Sequence, residues 1–474
     1  FVEDGIEMFN VFKENVVSLV HRSFSLLNGD QTPAAFWISN ANNRFVGNRA
    51  SSSHTHGYWF DPPTGPTGPS ADTWGGPLGV RDFNPMLVPL LQFENNTAHS
   101  NGANGLWIHG IRHASHGMYQ KMILKGTVSW NNGGFGFSIL PGVGHVQIIS
   151  GVAMGNSIDI AYTKEIYAHS WATADSNWNG NLVLNTTLRG DPDRATQAIG
   201  GPHGAWITFR DVVISSYTSF KPPIKHCRVC PSWKGGMEIR FAQMKIFDST
   251  PTIKEGIRGL VQWGRYHGNI LYDMDGSLTN SSQGRYVHSL KGVRPVPGKQ
   301  KATGHFPPKH CSKNAFVDGV ACDADQVSMR ELHFGCLGAG LYLSTASDQH
   351  APYIPFSQYD ATGRRKYCHV TGVFVKHPNA TPVIHQFDWA PGQSRKSPYY
   401  HPKSTAHPFG GEVREMRQNE WAIIRFLAWE NPWRWYSARY SIRDGILSGD
   451  PLNKYNQSTL SYDKSKRITR TTNE

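Results

Sequence analysis

A chain of 474 residues has room for two or three domains and a large core. Its 47 Lys and Arg against 35 Asp and Glu give a net charge of +12, yet only 17% of residues are charged, below the roughly 25% of ordinary soluble domains. With 48 Gly, 29 Pro and 15 Trp in place of abundant Ala, Glu and Lys, the composition excludes a helical bundle, a coiled coil or a long disordered chain.

The sequence opens on Phe1-Val2-Glu3-Asp4, without methionine or a basic-then-apolar leader, and reads as a mature secreted chain or a segment of a longer one. No run reaches the 18 or so apolar residues of a membrane span. Loose repeats follow. Phe45-Val46-Gly47-Asn48-Arg49-Ala50 leads to Gly57-Tyr58-Trp59-Phe60, and Phe93 to Gly102 leads to Gly105-Leu106-Trp107-Ile108. Gly126 to Gly133 leads to Gly134-Phe135-Gly136-Phe137, and Gly151 to Ser157 leads to Ile158-Asp159-Ile160. Each copy reads as a short apolar strand, a small-polar turn and a second apolar strand.

A period of about 25 to 30 residues without helical spacing predicts one coil of a parallel β-helix. One coil cannot bury its inward side chains alone, whereas coils stacked about 4.8 Å apart share a continuous core. Asn and Gly suit the left-handed turn conformations, and stacked Asn can form hydrogen-bonded ladders. A β-sandwich with chance similarity among its strands is the competing reading. Ala205 to Arg210 recurs at Met237 to Phe241, about 32 residues on, and again near Asn269 to Tyr272, so these coils carry longer loops.

The predicted organisation is a parallel β-helix over 1–290 with a Pro/Gly-rich loop at 61–85 and a basic linker at 291–310. A β-rich, sandwich-like domain stapled by disulfides follows over 311–453, then a polar tail over 454–474.

The residues Phe1 to Glu7, Ser25-Leu26-Leu27, Thr32 to Asn43 and Gly57-Tyr58-Trp59, with Asp273-Met274-Asp275-Gly276-Ser277-Leu278-Thr279 further on, resemble the family of fibrocystin-L, transmembrane protein 2 and the cell-migration-inducing hyaluronan-binding protein. The match is strong over residues 1–60, weaker to about 290 and fades afterwards. The resemblance implies a right-handed parallel β-helix, an extracellular or cell-surface setting and a link to hyaluronan or another glycan. The family's upstream domain, associated with its hyaluronan-related activity, lies outside this sequence. The chain then enters in mid β-helix, and its first coil presents a sheet edge for upstream chain or a partner to cover.

Chemistry could reside on a flat face of such a helix, because carboxylates on adjacent coils stand roughly 5 Å apart, the spacing of a retaining glycosidase. The candidates are Asp159, Asp211, Glu238, Asp273 and Asp275, with Arg210 and Arg240 as anion clamps; turn capping or a solvated surface is the competing reading for each. Asp273 and Asp275 alternate along a strand and could hold Ca²⁺, or form an Asx turn closed by Gly276. His54 and His56 have strand spacing, and His109, His113 and His116 have helical spacing, so either set could bind a transition metal; turn positions explain them as well. No cofactor beyond weakly held calcium is expected.

Six cysteines, Cys227, Cys230, Cys311, Cys322, Cys336 and Cys368, and five sequons, at Asn95, Asn185, Asn280, Asn379 and Asn456, agree on an oxidising, extracellular setting. Structural disulfides are expected over a redox or zinc role for Cys227-x-x-Cys230. Fifteen pairings are open, with proximity favouring partners among the last four cysteines. Walker, dinucleotide, nucleophile-elbow and zincin motifs are all missing, which excludes those classes. The charge and aromatics suit an acidic glycan better than nucleic acid in this compartment, with Trp429, Trp433, Arg434 and Trp435 as a candidate patch. The leading expectation is an extracellular structural or adhesive module that contacts glycans and assembles with neighbouring copies. The alternatives are a hyaluronidase-like or lyase-like enzyme, or a non-catalytic binder of acidic glycans.

Overall fold

The structure is a computed structural model. It describes residues 2–24, 31–73, 83–109, 122–140, 146–162, 181–194, 196–202, 207–217, 221–226, 239–249, 252–253, 256–257, 259–263, 270–289 and 309–327, together with the backbone of the strands that follow. Among the described residues the protein is all-β apart from a four-residue helix, Ser70–Thr73, and a 3₁₀ turn, Pro85–Leu87.

The described residues of the first unit form a parallel β-helix of eight coils. Five coils have three strands each: β1 Val11–Lys13, β2 Val16–Ser18 and β3 Ala34–Ile38; β4 Arg44–Val46, β5 Arg49–Ser51 and β6 His56–Phe60; β7 Gln92–Glu94, β8 Thr97–His99 and β9 Asn104–Ile108; β10 Met122–Lys125, β11 Val128–Trp130 and β12 Phe135–Ile139; β13 Val146–Ile149, β14 Val152–Met154 and β15 Ile158–Tyr162. In the next two, the first and second faces share one nine-residue strand, giving β16 Asn181–Arg189 with β17 Gln197–Gly200, and β18 Ile207–Ser215 with β19 Ile224–Lys225. The last comprises β20 Ile239–Ala242, β21 Lys245–Phe247, a small hairpin β22 Thr252–Ile253 and β23 Gly256–Ile257, and β24 Val261–Gln262.

The register advances by 33 residues (Val11 to Arg44), 48 (Arg44 to Gln92), 31 (Thr97 to Val128), 24 (Val128 to Val152), 35 (Val152 to Thr187), 26 (Thr187 to Val213) and 32 (Val213 to Lys245). The largest step contains the Pro/Gly-rich excursion between Phe60 and Gln92. Each coil therefore has three faces, where the sequence suggested two strands per copy. The run Phe45 to Ala50 holds both β4 and β5, divided by Gly47 at φ +67°. A strand of three residues is too short to announce itself by alternation.

The core is built from columns. Phe12, Phe45, Phe93, Leu124, Ile148, Val183, Phe209 and Phe241 stack inside the first face. Small residues, Ala50, Ala98, Ser129 and Ala153, stand inside the second. Tyr58, Leu106, Phe137 and Ile160 fill the third, all fully buried. Large columns facing a small one fill the interior without strain, and each fully buried large side chain contributes on the order of 2 kcal/mol.

The second unit begins with the antiparallel strands β25 Ile270–Asp273, β26 Arg285–Ser289, β27 Cys311–Asn314 and β28 Gly319–Asp323. Cys311 and Cys322 lie directly opposite each other on β27 and β28 and form a disulfide. Ile270, Tyr286, Val320, Cys322, Ala324 and Val327 make a buried cluster, with Tyr272 stacked on Tyr286 at 4.3 Å. Backbone strands continue as β29 Val327–Gly335, β30 Leu341–Thr345, β31 Tyr353–Ile354, β32 Tyr367–Val375, β33 Ile384–Trp389, β34 Gly411–Val413, β35 Trp421–Leu427, β36 Trp435–Ser441, β37 Ser458–Ser461 and β38 Thr469–Thr472. They form a three-stranded sheet, β32-β29-β34, and a mixed seven-stranded sheet, β31-β30-β33-β35-β36-β37-β38.

Candidate functional site

Alternation along the third face decides which side chains look outward. In β3, β6 and β9, Ile38, Phe60 and Ile108 are buried inside, so the residue before each, Trp37, Trp59 and Trp107, points away from the core. Parallel register then places the three indoles in one row, each half-buried. Trp37 and Trp59 stack with centroids 5.5 Å apart and planes 14° from parallel. His56 lies beside the row, 5.8 Å from Trp59 and 4.8 Å from Trp107 between ring centroids, and its Nδ1 is 3.2 Å from the side-chain nitrogen of Asn104. Burial lowers the His56 pKa to about 4, so the ring is neutral at physiological pH. One coil further the row changes from indole to hydroxyl at the buried Ser138.

Two residues beyond Trp59 and Trp107, the chain leaves the face at Asp61 and His109. Oδ1 of Asp61 lies 2.7 Å from Nδ1 of His109, with both side chains partly exposed. A carboxylate held on Nδ1 fixes the imidazole tautomer and leaves Nε2 as the ring's second polar atom. The face thus combines an aromatic strip with an oriented carboxylate–imidazole pair. A row of rings provides the flat apolar surface that the C–H face of a sugar can cover, and the pair beside it can bond hydroxyls or a charged substituent.

The other sequence candidates lie apart. Asp273 is buried, and its Oδ2 accepts from the backbone N–H and the hydroxyl of Thr279, both at 2.7 Å. Burial raises its pKa, against the pull of those bonds. Asp275 accepts from the N–H and hydroxyl of Ser277 at 3.1 and 2.6 Å, and Gly276 takes φ +85°. Asp159 is sealed in the core between Asn156 and Tyr217. Asp211 sits at a corner with φ +52°, 3.5 Å from the Arg210 guanidinium, while Arg240 is half-buried on β20. Both ring nitrogens of His54 are engaged, Nδ1 by the backbone N–H of Arg22 and Nε2 by Nδ1 of His21. Among the described residues no three His, Cys, Asp or Glu are grouped to hold a metal.

Glu238, His113, His116, Cys227, Cys230, Cys336, Trp429, Trp433, Arg434, Asn379 and Asn456 lie outside the described residues. Cys368 and Trp435 are described only through the backbone of β32 and β36. The tryptophan row was missed by sequence reasoning although its signal is visible. The words Ala35-Phe36-Trp37, Gly57-Tyr58-Trp59 and Gly105-Leu106-Trp107 repeat an apolar residue followed by Trp, and a period of two must send one inward and the other outward.

Comparison with known proteins now adds to this geometry. The family model for the CEMIP beta-helix matches residues 1–106, which include Trp37 and Trp59 and end one residue before Trp107. Human fibrocystin-L is 28% identical over 424 residues, covering 81% of this chain and 9% of that protein. The mouse cell migration-inducing and hyaluronan-binding protein is 29% identical over 133 residues, 23% of this chain and 9% of that protein. The cell surface hyaluronidase of Danio rerio matches with the same identity, length and coverage. The family resemblance read from the sequence is thereby shown, and the relation to fibrocystin-L reaches further along the chain than the first 290 residues. The chain spans under a tenth of the length of these relatives.

Proposed function

We propose that this relative of fibrocystin-L, with a CEMIP-type β-helix at residues 1–106, is an extracellular β-helical module that contacts acidic glycans through its third face without cleaving them. The observation that carries this reading is the outward row of Trp37, Trp59 and Trp107 beside the Asp61–His109 pair. The net charge of +12 favours a polyanion, and two relatives are named for hyaluronan. Eight stacked coils give the rigid support that a preorganised contact surface needs.

The test is binding of hyaluronan and chondroitin oligosaccharides by calorimetry. Trp59→Ala and Trp107→Ala should each weaken binding about fivefold, the equivalent of about 1 kcal/mol for one lost ring contact. Unchanged affinity in both variants would remove the third face from consideration.

A second reading rests on the Asp61–His109 pair itself, because an imidazole oriented by a carboxylate is the usual form of a general base. Under that reading overnight incubation shortens hyaluronan, and His109→Ala abolishes the shortening while leaving the β-helix folded. Glycan chains of unchanged length favour the binding module.

A further inference from the structure

We propose that the corner between the first and second faces of the β-helix carries N-linked glycans at Asn95 and Asn185, away from the tryptophan face. The corner is defined by one left-handed residue in every coil. Glu14, Gly47, Asn95, Gly126, Ser150, Asn185, Asp211 and Gln243 all lie between φ +48° and +67° and stack in a single column. Two members of this column are sequon asparagines, Asn95-Asn96-Thr97 and Asn185-Thr186-Thr187.

The corner sorts the three residues of each sequon. Asn95 and Asn185 are exposed, whereas the next residues, Asn96 and Thr186, are buried inside the turn. Thr97 and Thr187 begin the second face and are half-buried. The amide that would bear sugar therefore stands outside the body, while the residue after it locks the corner. Space along the column is also open at Asn95, which is flanked by Gly47 and Gly126; the Asn95 side-chain oxygen leans over Gly126, where any Cβ would collide with it. Nδ2 of Asn185 donates to Oγ of Ser150 at 3.2 Å, and a glycosylated amide keeps one N–H for that bond.

The modification requires a lipid-diphosphate-linked oligosaccharide. Nδ2 bonds to the anomeric carbon, the bond from that carbon to the diphosphate breaks, and one amide proton leaves. Sugar at these two points would shield the corner and leave the third face bare for its own contacts. The inference rests on the extracellular part of the reading above, since that is where this donor acts, and is independent of whether the tryptophan row binds anything.

The experiment directs the whole chain into the secretory pathway of a cultured animal cell. The secreted protein is treated with peptide N-glycosidase in heavy-oxygen water and its peptides are sequenced by mass spectrometry. Labelled aspartate is expected at positions 95 and 185. Thr97→Ala and Thr187→Ala, which leave both corner asparagines in place, should each remove one glycan and one step of gel mobility. A secreted chain with both asparagines unlabelled overturns the inference alone. A chain retained in the cell without sugar overturns it together with the extracellular reading, while hyaluronan binding by the unglycosylated chain reports separately on the third face.

Discussion

Asp159 is the residue on which most physical chemistry converges. Behind the second corner, Asn101 donates to Asn132 at 2.9 Å, Asn132 to Asn156 at 2.9 Å, and Asn156 to Oδ1 of Asp159 at 2.8 Å. The next coil has Asp191 at that step, and the coil after it supplies Tyr217, whose hydroxyl donates to Oδ2 of Asp159. Burial raises the Asp159 pKa from 3.8 to about 7, partly opposed by the bonds from Tyr217 and Asn156. The folded protein thus prefers the neutral acid. Its stabilising contribution is complete below about pH 4 and is lost as pH rises toward about 7, on the order of a few kcal/mol. Asp159→Asn keeps an acceptor for Asn156 and carries no charge. Its melting temperature is expected to vary less than that of the parent between pH 5 and pH 8 by circular dichroism. Parallel curves for the two proteins would rule this account out. Asp159 was visible in the sequence as a carboxylate on a strand, but Tyr217 lies 58 positions away and no local pattern pairs them.

At the scale of the element, the corners explain what was legible and what was not. Asn and Gly in the repeats announced turns, and Gly47, Asn95 and Gly126 do hold left-handed conformations. Glu14, Ser150 and Gln243 hold the same conformation with side chains that carry no such signal. Stacked neighbours impose it at Glu14 and Ser150, whose backbone N–H groups donate to Val46 and Leu184 one coil away, as Gly47 does to Glu94 and Asn95 to Lys125. A non-glycine residue in this region carries roughly 1–2 kcal/mol of strain. Glu14→Gly should therefore raise stability, by about 0.5–1 kcal/mol after the extra flexibility of the unfolded chain is counted. Gly47→Val should lower it by about 2 kcal/mol, since a β-branched residue is the least suited to positive φ. Urea midpoints read both, and equal midpoints for all three proteins would show that the corner is unstrained. The outward tryptophans belong to this scale as well: their alternation was on the page, but only the coil register reveals that three of them share a row.

At the scale of the whole molecule, the β-helix behaves as a one-dimensional stack in which each coil is held by its neighbours. The repeat was legible through the recurring Asn/Gly turns and blurred because loops vary the length of a coil from 24 to 48 residues and so shift the copies out of period. The final domain was legible only as β-rich, because antiparallel pairing such as Cys311 opposite Cys322 leaves no periodic trace. The stack has an uneven distribution of burial. Phe45 meets Phe12, Phe36, Phe60 and Phe93 with ring centroids 4.9–6.5 Å away, whereas Phe9, Val11, Val16, Leu19 and Phe24 around the first coil are 63–78% exposed. With these side chains exposed, fewer buried apolar contacts hold the first coil than hold the coils after it, and local opening follows low contact density. Amides of β1 and β2 are then expected to exchange at least tenfold faster than those of β7, β8, β10 and β11. Phe45→Ala removes the ring that ties the first three coils together and should destabilise by about 3–5 kcal/mol. If opening is local, its effect on exchange is greatest in β1 to β9 and small in β13 to β15. Uniform acceleration through all eight coils would mean instead that the helix unfolds as a single cooperative unit, and that the exposed first coil is no weaker than the rest.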